Sequence, residues 1–475
     1  MGTLFFGILL GVFPGCANVQ KEPGFLDIKH LASQRLGKRL DWREKSPEAP
    51  PAEKVVQQLL QEPLTADAAV QIALLNNREL RAAYETLGIA QADLIEAAMP
   101  VNPVLSGSAA FGPSIEWEAA LVQNVLNLLT LASRKRAGEA EFERTKLDVA
   151  RQVVNLAAEI RSAYFTAVAN MQILEMWRTA ITATEAAAAL SERQVQAGNQ
   201  NRLEQSSHQI FYAQTLLEGA RTELQIRRDR EQLNRLMGLW GTDTRWRLLQ
   251  RLPVIPPDLP ALDRLEVRVV ENSLEIAAAK KEIEALRITL DLAKKYRYLS
   301  VLGIGTHREP DGQFTGPRLE LSLPLFDRGR SRIARLEAEL EKSRQRLVAT
   351  ATEIRATARE ARTRLMATHA QVKFFQDVLL PLKQTVVGET QLRYNGMLIG
   401  VYDLLQAKQV NTGRDYITAI RDFWLAWSDL EGIVGTRLMS PAIPLRDATE
   451  QPLSPSSPRL PPHEHHRGEN EHEAT

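Results

Sequence analysis

Apolar residues return every three or four positions from Ala68, Ala69, Ile72 and Ala73 onward, behind Thr65, a residue type that caps helix N-termini. This helical period continues to Met99 and stops at Pro100 and Pro103. Over 104–122 the period changes to two. Ile115, Trp117, Ala119 and Leu121 alternate with Glu116 and Glu118, and Gly112-Pro113 separates this run from Val104–Phe111, which predicts a hairpin. A helical pattern then runs without proline from about Leu126 to Val195, roughly 100 Å at 1.5 Å per residue. A helix of that length needs partners along its whole length, as in a coiled coil or an α-barrel. Gly198-Asn199-Gln200-Asn201 breaks it, and a second helix is predicted over about 203–237.

The arrangement then recurs. A helix over 265–295 leads to alternating strands at Leu299–Gly305 and Pro317–Leu325, where Leu319, Leu321, Leu323 and Leu325 alternate with Glu320 and Ser322; a polar loop, Thr306–Thr315, containing His307, lies between them. A long helix over Ser331–Arg393 is interrupted by Pro381 and Gly388, Asn395-Gly396 marks a break, and a last helix ends near Gly435. Short segments match between the halves at a spacing of roughly 195–205 residues. Ala73–Leu80 matches Val269–Ile276, Gly112-Pro113 matches Gly316-Pro317, Glu159-Ile160-Arg161 matches Glu360-Ala361-Arg362, and Gln196-Ala197-Gly198 matches Tyr394-Asn395-Gly396. The fold class predicted is mostly α with a small β part, built from a duplicated helix–strand–strand–long helix–helix unit. Its divisions are a leader at 1–16, an extended arm at 17–62, the first repeat at 63–240, a Pro-rich linker at 241–264, the second repeat at 265–437 and a disordered tail at 438–475.

Two strands per repeat cannot stand alone, and four strands per chain leave open edges that lipid does not tolerate. Closure by several chains solves this, and three copies give a 12-stranded barrel with an apolar outside and a polar lumen. The plainer alternative is two hairpins packed on water-soluble helices.

Composition narrows the class. Lys and Arg number 59 against 58 Asp and Glu, so no basic excess points to nucleic acid. The single cysteine, Cys16, excludes a disulfide scaffold and thiolate metal sites. It follows the apolar run 1–15, the pattern of a bacterial lipoprotein leader in which the cysteine becomes the acylated first residue; an ordinary signal peptide with an incidental cysteine is the alternative. No phosphate-binding glycine loop, HExxH helix or nucleophile elbow is present, so neither a cofactor nor a catalytic residue is expected, and the chain is not expected to be an enzyme. His463, His465, His466 and His472 interleave with glutamates at the C-terminus and are weak candidate metal ligands beside the simpler reading of a solvated tail.

Pro63-Leu64-Thr65…Asn76-Asn77…Glu79-Leu80, Gly316-Pro317-Arg318-Leu319-Glu320-Leu321-Ser322-Leu323-Pro324-Leu325-Phe326-Asp327-Arg328-Gly329 and Tyr394-Asn395-Gly396…Asp403-Leu404-Leu405-Gln406-Ala407, in this order and duplicated, resemble the outer-membrane efflux protein family over about residues 63–437. These are the TolC-like channels of bacterial tripartite pumps. Cys16 and Met397–Val401 look most like its heavy-metal lipoprotein branch. The resemblance implies a homotrimer whose β-barrel crosses the outer membrane and whose α-helical tunnel extends into the periplasm. It implies a periplasmic adaptor and an inner-membrane pump as partners, with outer-membrane lipid around the barrel. It places a periplasmic gate at the second helix break, where Asp403 matches an acidic position, Gln406 stands where many members carry a second acid, and Glu204 holds the related place in the first half. Arg193, Arg202 and Arg393 flank the same tips as candidate ion-pair partners. Gly198, Asn199, Gln200, Asn201, Gly396, Met397 and Gly400 are candidate adaptor-docking tips; the plain alternative is that they are turns. The function implied is a passive exit duct for heavy-metal cations or small toxic compounds. A periplasmic coiled-coil adaptor or structural protein is the competing reading.

Overall fold

The computed structural model describes residues 22–42, 52–111, 115–299, 301–308, 315–322, 326–400 and 411–438. Residues up to 437 form one compact unit; of the second, 438–475, only Leu438 is described.

The arm expected to be extended contains two helices, α1 (Phe25–Leu36) and α2 (Ala52–Gln61). Phe25, Ile28, Ala32 and Leu36 fall at helical spacing and are buried, a pattern masked in the sequence by the prolines and charges that follow. Gly24 and Gly37, both left-handed, bound α1. The helix lies against a later one, where Lys146 Nζ meets Asp27 at 2.5 Å.

Thr65 caps α3 (Ala66–Asn76), accepting from the Ala68 amide at 3.1 Å. The helical period read through to Met99 is divided at Asn77, which takes an extended conformation and caps α4 (Arg78–Ala98). The second repeat divides in the same way. Ser273 caps α8 (Leu274–Lys295) behind α7 (Leu265–Asn272), so the single helix expected over 265–295 is two. Periodicity persists across both breaks because one residue in extended conformation changes direction without changing which neighbours are apolar.

Strands β1 (Val104–Phe111), β2 (Ile115–Asn124), β3 (Leu302–Arg308) and β4 (Thr315–Leu321) form one antiparallel sheet in that order. β3 starts later than expected and takes in Thr306, His307 and Arg308, assigned above to a loop. They pair with Leu121, Ala120 and Ala119 on one side and Pro317, Gly316 and Thr315 on the other.

Asn124 caps α5 (Val125–Gln196), 72 residues and about 110 Å long. It is followed by α6 (Arg202–Met237). In the second repeat α9 (Arg330–Phe374) runs through a π turn at Phe375–Leu379 into α10 (Leu380–Asn395), and α11 (Asn411–Val434) closes the chain at Gly435. The π turn sits where Pro381 withholds an N–H and its ring would press on the preceding turn; the wider turn relieves both. Gly388 lies inside α10 and interrupts nothing.

Near the sheet the helices pack as α4–α5–α8–α9, the order of the strands they continue; toward the helix tips the packing is α6–α5–α11–α9. These helices form a wall, on which α1 and α3 also pack. Around its middle the Pro-rich segment forms a strap. Trp424 Nε1 donates to the Pro253 carbonyl at 3.0 Å, His369 Nε2 lies 3.1 Å from that of Pro256, and Tyr164 donates to Leu64 at 2.9 Å. Asn76 and Asn77 donate to the carbonyls of Leu236, Met237 and Gly238, sealing the end of α6 onto the start of α4.

Candidate functional site

The register divides the sheet into two unlike faces. Leu105, Ala109, Phe111, Trp117, Ala119, Leu121, Ile304, Pro317, Leu319 and Leu321 share one, and its large members other than the half-buried Leu121 are exposed: Phe111 at 84%, Leu105 at 75%, Leu319 at 69%. Apolar surface on that scale is not stable in water. Ser106, Ser108, Glu118, His307, Arg318 and Glu320 share the other, with Ser108 donating to Glu118 at 3.3 Å. The polar face also carries Gly303 and Gly305. A Cβ at Gly305 would overlap the Leu121 carbonyl, and one at Gly303 would stand 2.7 Å from Val122 Cγ1. At Gly305 the crowding is with the backbone of β2, a close approach that only glycine permits. β1 and β4 are the two edges, each paired on one side only among the described residues.

At the opposite end the α5–α6 turn spans Ala197 to Asn201. Gly198 is left-handed at φ 76°, the Asn199 amide donates to Gln194 O at 2.8 Å, and Ser191 Oγ donates to Gln200 Oε1 at 2.5 Å. Asn201 caps α6, accepting from the Glu204 amide at 2.8 Å while its Nδ2 donates to Glu204 Oε1 at 3.1 Å. Glu204, named above as a gate candidate, is thus engaged locally. Arg193, Arg202 and Arg393 form no ion pair among the described residues.

The second tip repeats the first bond for bond. Gly396, Met397 and Leu398 donate to Leu392, Tyr394 and Arg393, as Ala197, Gly198 and Asn199 donate to Arg193, Val195 and Gln194. The partners lie 199 residues apart (396 − 197), which shifts the match read from the sequence by one: Gly198 corresponds to Met397, not Gly396. Met397 accordingly holds φ 59° and is 94% exposed beside the exposed Leu398. Gly400 is the last residue described before 411. Asp403, Gln406, Cys16 and the C-terminal histidines lie outside the described residues. Among those described, no three His, Cys, Asp or Glu are grouped to hold a metal ion, and no helix is long and apolar enough to cross a membrane.

Two features had no part in the sequence reading. One is the crowding at Gly303 and Gly305, which the alternation over Leu299–Gly305 put on one strand face without showing what the neighbouring strand brings against them. The other is a clasp at mid-wall. Arg161, 7% exposed, meets Glu431 at 2.6 Å and Asp67 at 3.6 Å, and Asp67 also takes Arg437 at 2.7 Å and Lys38 at 3.4 Å. Its members come from positions spread over the whole chain, so no local motif announces it.

No family model matches the chain. It is similar to the cobalt-zinc-cadmium resistance protein CzcC of Cupriavidus metallidurans, 22% identical over 344 residues, 71% of this chain and 80% of that protein. Among solved structures it superposes on CusC, described for the conformational changes accompanying folding and transmembrane channel formation, with TM-score 0.65, 15% identity, and 78% of this chain and 92% of that one covered. It also superposes on the outer membrane protein VceC of Vibrio cholerae, with TM-score 0.66, 15% identity, and 79% and 97% covered. The fold is that of the TolC-like outer-membrane efflux channels.

Proposed function

We propose that three copies of this chain close into a passive exit duct, a 12-stranded β-barrel in the bacterial outer membrane continued by a helical tunnel through the periplasm. The observation that carries this reading is the coincidence of strand order and helix order. The wall has matching open edges at every level, β1, α4 and then α6 on one side and β4 and α9 on the other, so one rotation closes barrel and tunnel together. In lipid an open strand edge costs several kcal/mol per unpaired group, which a lone copy cannot offset. The exposed apolar face meets lipid and the polar face lines the lumen.

In this reading the helix tips face the pump. Asp403 from three copies forms an acidic ring that attracts cations, with Gln406 beside it and Arg193, Arg202 and Arg393 flanking. The tips, Gly198–Asn201 and Gly396–Gly400, dock a periplasmic adaptor that couples the duct to an inner-membrane pump. The likeness to a cobalt-zinc-cadmium resistance protein favours heavy-metal cations as cargo, and Glu118 and Glu320 give the lumen the matching sign. Acylated Cys16 anchors the chain in the outer membrane in this reading.

The test is closure between copies. Ser106→Cys on β1 and Arg318→Cys on β4, in a Cys16→Ala background, are bridged with a short bis-maleimide in isolated outer membranes. A ladder ending at three chains is expected. Monomer alone, from protein shown to be in the outer membrane, contradicts closure.

A further inference from the structure

The two repeats meet the base of the sheet with different chemistry. In the first, no charged residue occurs from Met99 to Pro103 or from Val125 to Ser133, and Leu128 and Leu129 are exposed. In the second, Lys294, Lys295, Arg297, Arg328, Arg330 and Arg332 crowd the same level. The turn at 296–299 packs on 326–329, since a Cβ at Gly329 would stand 3.2 Å from the Arg297 carbonyl and 3.4 Å from its Cβ. Lys294 is held by Glu337 at 2.6 Å, and Asp327 is occupied by Ser331 and the Arg330 amide. Lys295, Arg297, Arg328, Arg330 and Arg332 have no acidic partner among the described residues. Arg297 Nε is enclosed without a hydrogen-bond acceptor. Aromatic rings are interleaved: the Arg297 guanidinium lies 4.6 Å over Tyr298, Lys295 Nζ lies 5.4 Å over Tyr296, and Phe326 projects fully exposed.

Cations with no acidic partner among the described residues, set among tyrosines at the edge of an apolar band, are the chemistry of a membrane interface. Barrel closure does not demand them as a cluster, because the first repeat makes the same junction with Arg134 alone, engaged on the carbonyls of Met99 and Asn127. We propose that this band of the second repeat binds the phosphates of anionic phospholipids in the periplasmic leaflet, with Arg297, Arg328 and Arg330 as the principal donors and Tyr296, Tyr298 and Phe326 seated at headgroup depth. The inference rests on the reading of the sheet as membrane-spanning. Three copies give three such sites, one at each second-repeat junction.

The experiment has two arms. First, the full chain is reconstituted into vesicles of phosphatidylcholine alone, and protection of the strand hairpins from trypsin reports insertion. Second, phosphatidylglycerol and phosphatidylcholine are titrated onto the purified oligomer and their affinities compared by native mass spectrometry. Each cation near an anionic headgroup contributes about five-fold, so a preference for phosphatidylglycerol is expected that falls about a hundred-fold when Arg297→Gln, Arg328→Gln and Arg330→Gln are combined. Arg346→Gln, farther along α9, leaves it unchanged. Insertion with equal affinity for the two lipids, or a preference that survives the triple substitution, overturns the proposal and leaves the membrane reading standing. Failure to insert at all overturns both.

Discussion

Gly305 has no room for a side chain, because the Leu121 carbonyl occupies the place of its Cβ. Gly305→Ala should therefore destabilise the sheet by about 3 kcal/mol, the upper part of the range for forced overpacking. Gly107→Ala is the matched control: on the opposite face its Cβ meets only the Glu118 carbonyl at 3.4 Å, and the cost should stay below about 1 kcal/mol. Guanidinium unfolding of the detergent-purified protein measures both, and equal costs would contradict the close backbone approach at Gly305. The mid-wall clasp gives a second contrast. Arg161 and Glu431 are both largely buried, so Glu431→Gln leaves a buried cation short of its partner and should cost about 3 kcal/mol. Asp67 is 43% exposed at its side chain, and Asp67→Asn should cost no more than about 1 kcal/mol. Burial alone would raise the Asp67 pKa, but Lys38, Arg437 and Arg161 hold it below the ordinary carboxylate value. Its contribution is present above about pH 4 and is lost as pH falls through the lowered value.

Elements differ in how openly the sequence declares them. The first hairpin, the long α5 and the cap at Thr65 follow from alternation, period and residue type, whereas the helical period reads straight through the break at Ser273. The break at Asn77 does not follow either, because asparagine within an apolar period is ambiguous until the α6 carbonyls it satisfies are brought alongside. The tips show the same limit. Composition aligned the two glycines, Gly198 and Gly396, whereas the repeated hydrogen bonds align Gly198 with Met397, a residue no composition rule places at positive φ. At the first tip, His208 is buried within the α5–α6 hairpin. Burial lowers its pKa, and Glu204 only partly offsets this. A lowered histidine pKa means the unfolded hairpin binds the proton more readily, so the contribution is present above about pH 6.5 and falls away below it. Protection factors of the 191–212 amides, referred to the intrinsic exchange rate at each pH, should fall between about pH 7 and pH 5.5, and His208→Gln should flatten that dependence. A profile unchanged by the substitution would remove His208 from the account.

For the whole molecule, the duplicated unit and its four strands were legible from patterning because each strand pair stands between recognisable helices. The strap and the clasp were not, since they join residues hundreds of positions apart. What those distant contacts produce is a single wall whose strand edges and helix edges coincide, and a wall of that kind encloses nothing until copies of it meet. The most direct test is single-channel conductance of the purified protein in planar bilayers, for wild type and Asp403→Asn. Long-lived, cation-preferring steps from a trimeric species are predicted, with the preference weakened by the substitution. A folded protein that stays monomeric and carries no current would contradict the duct.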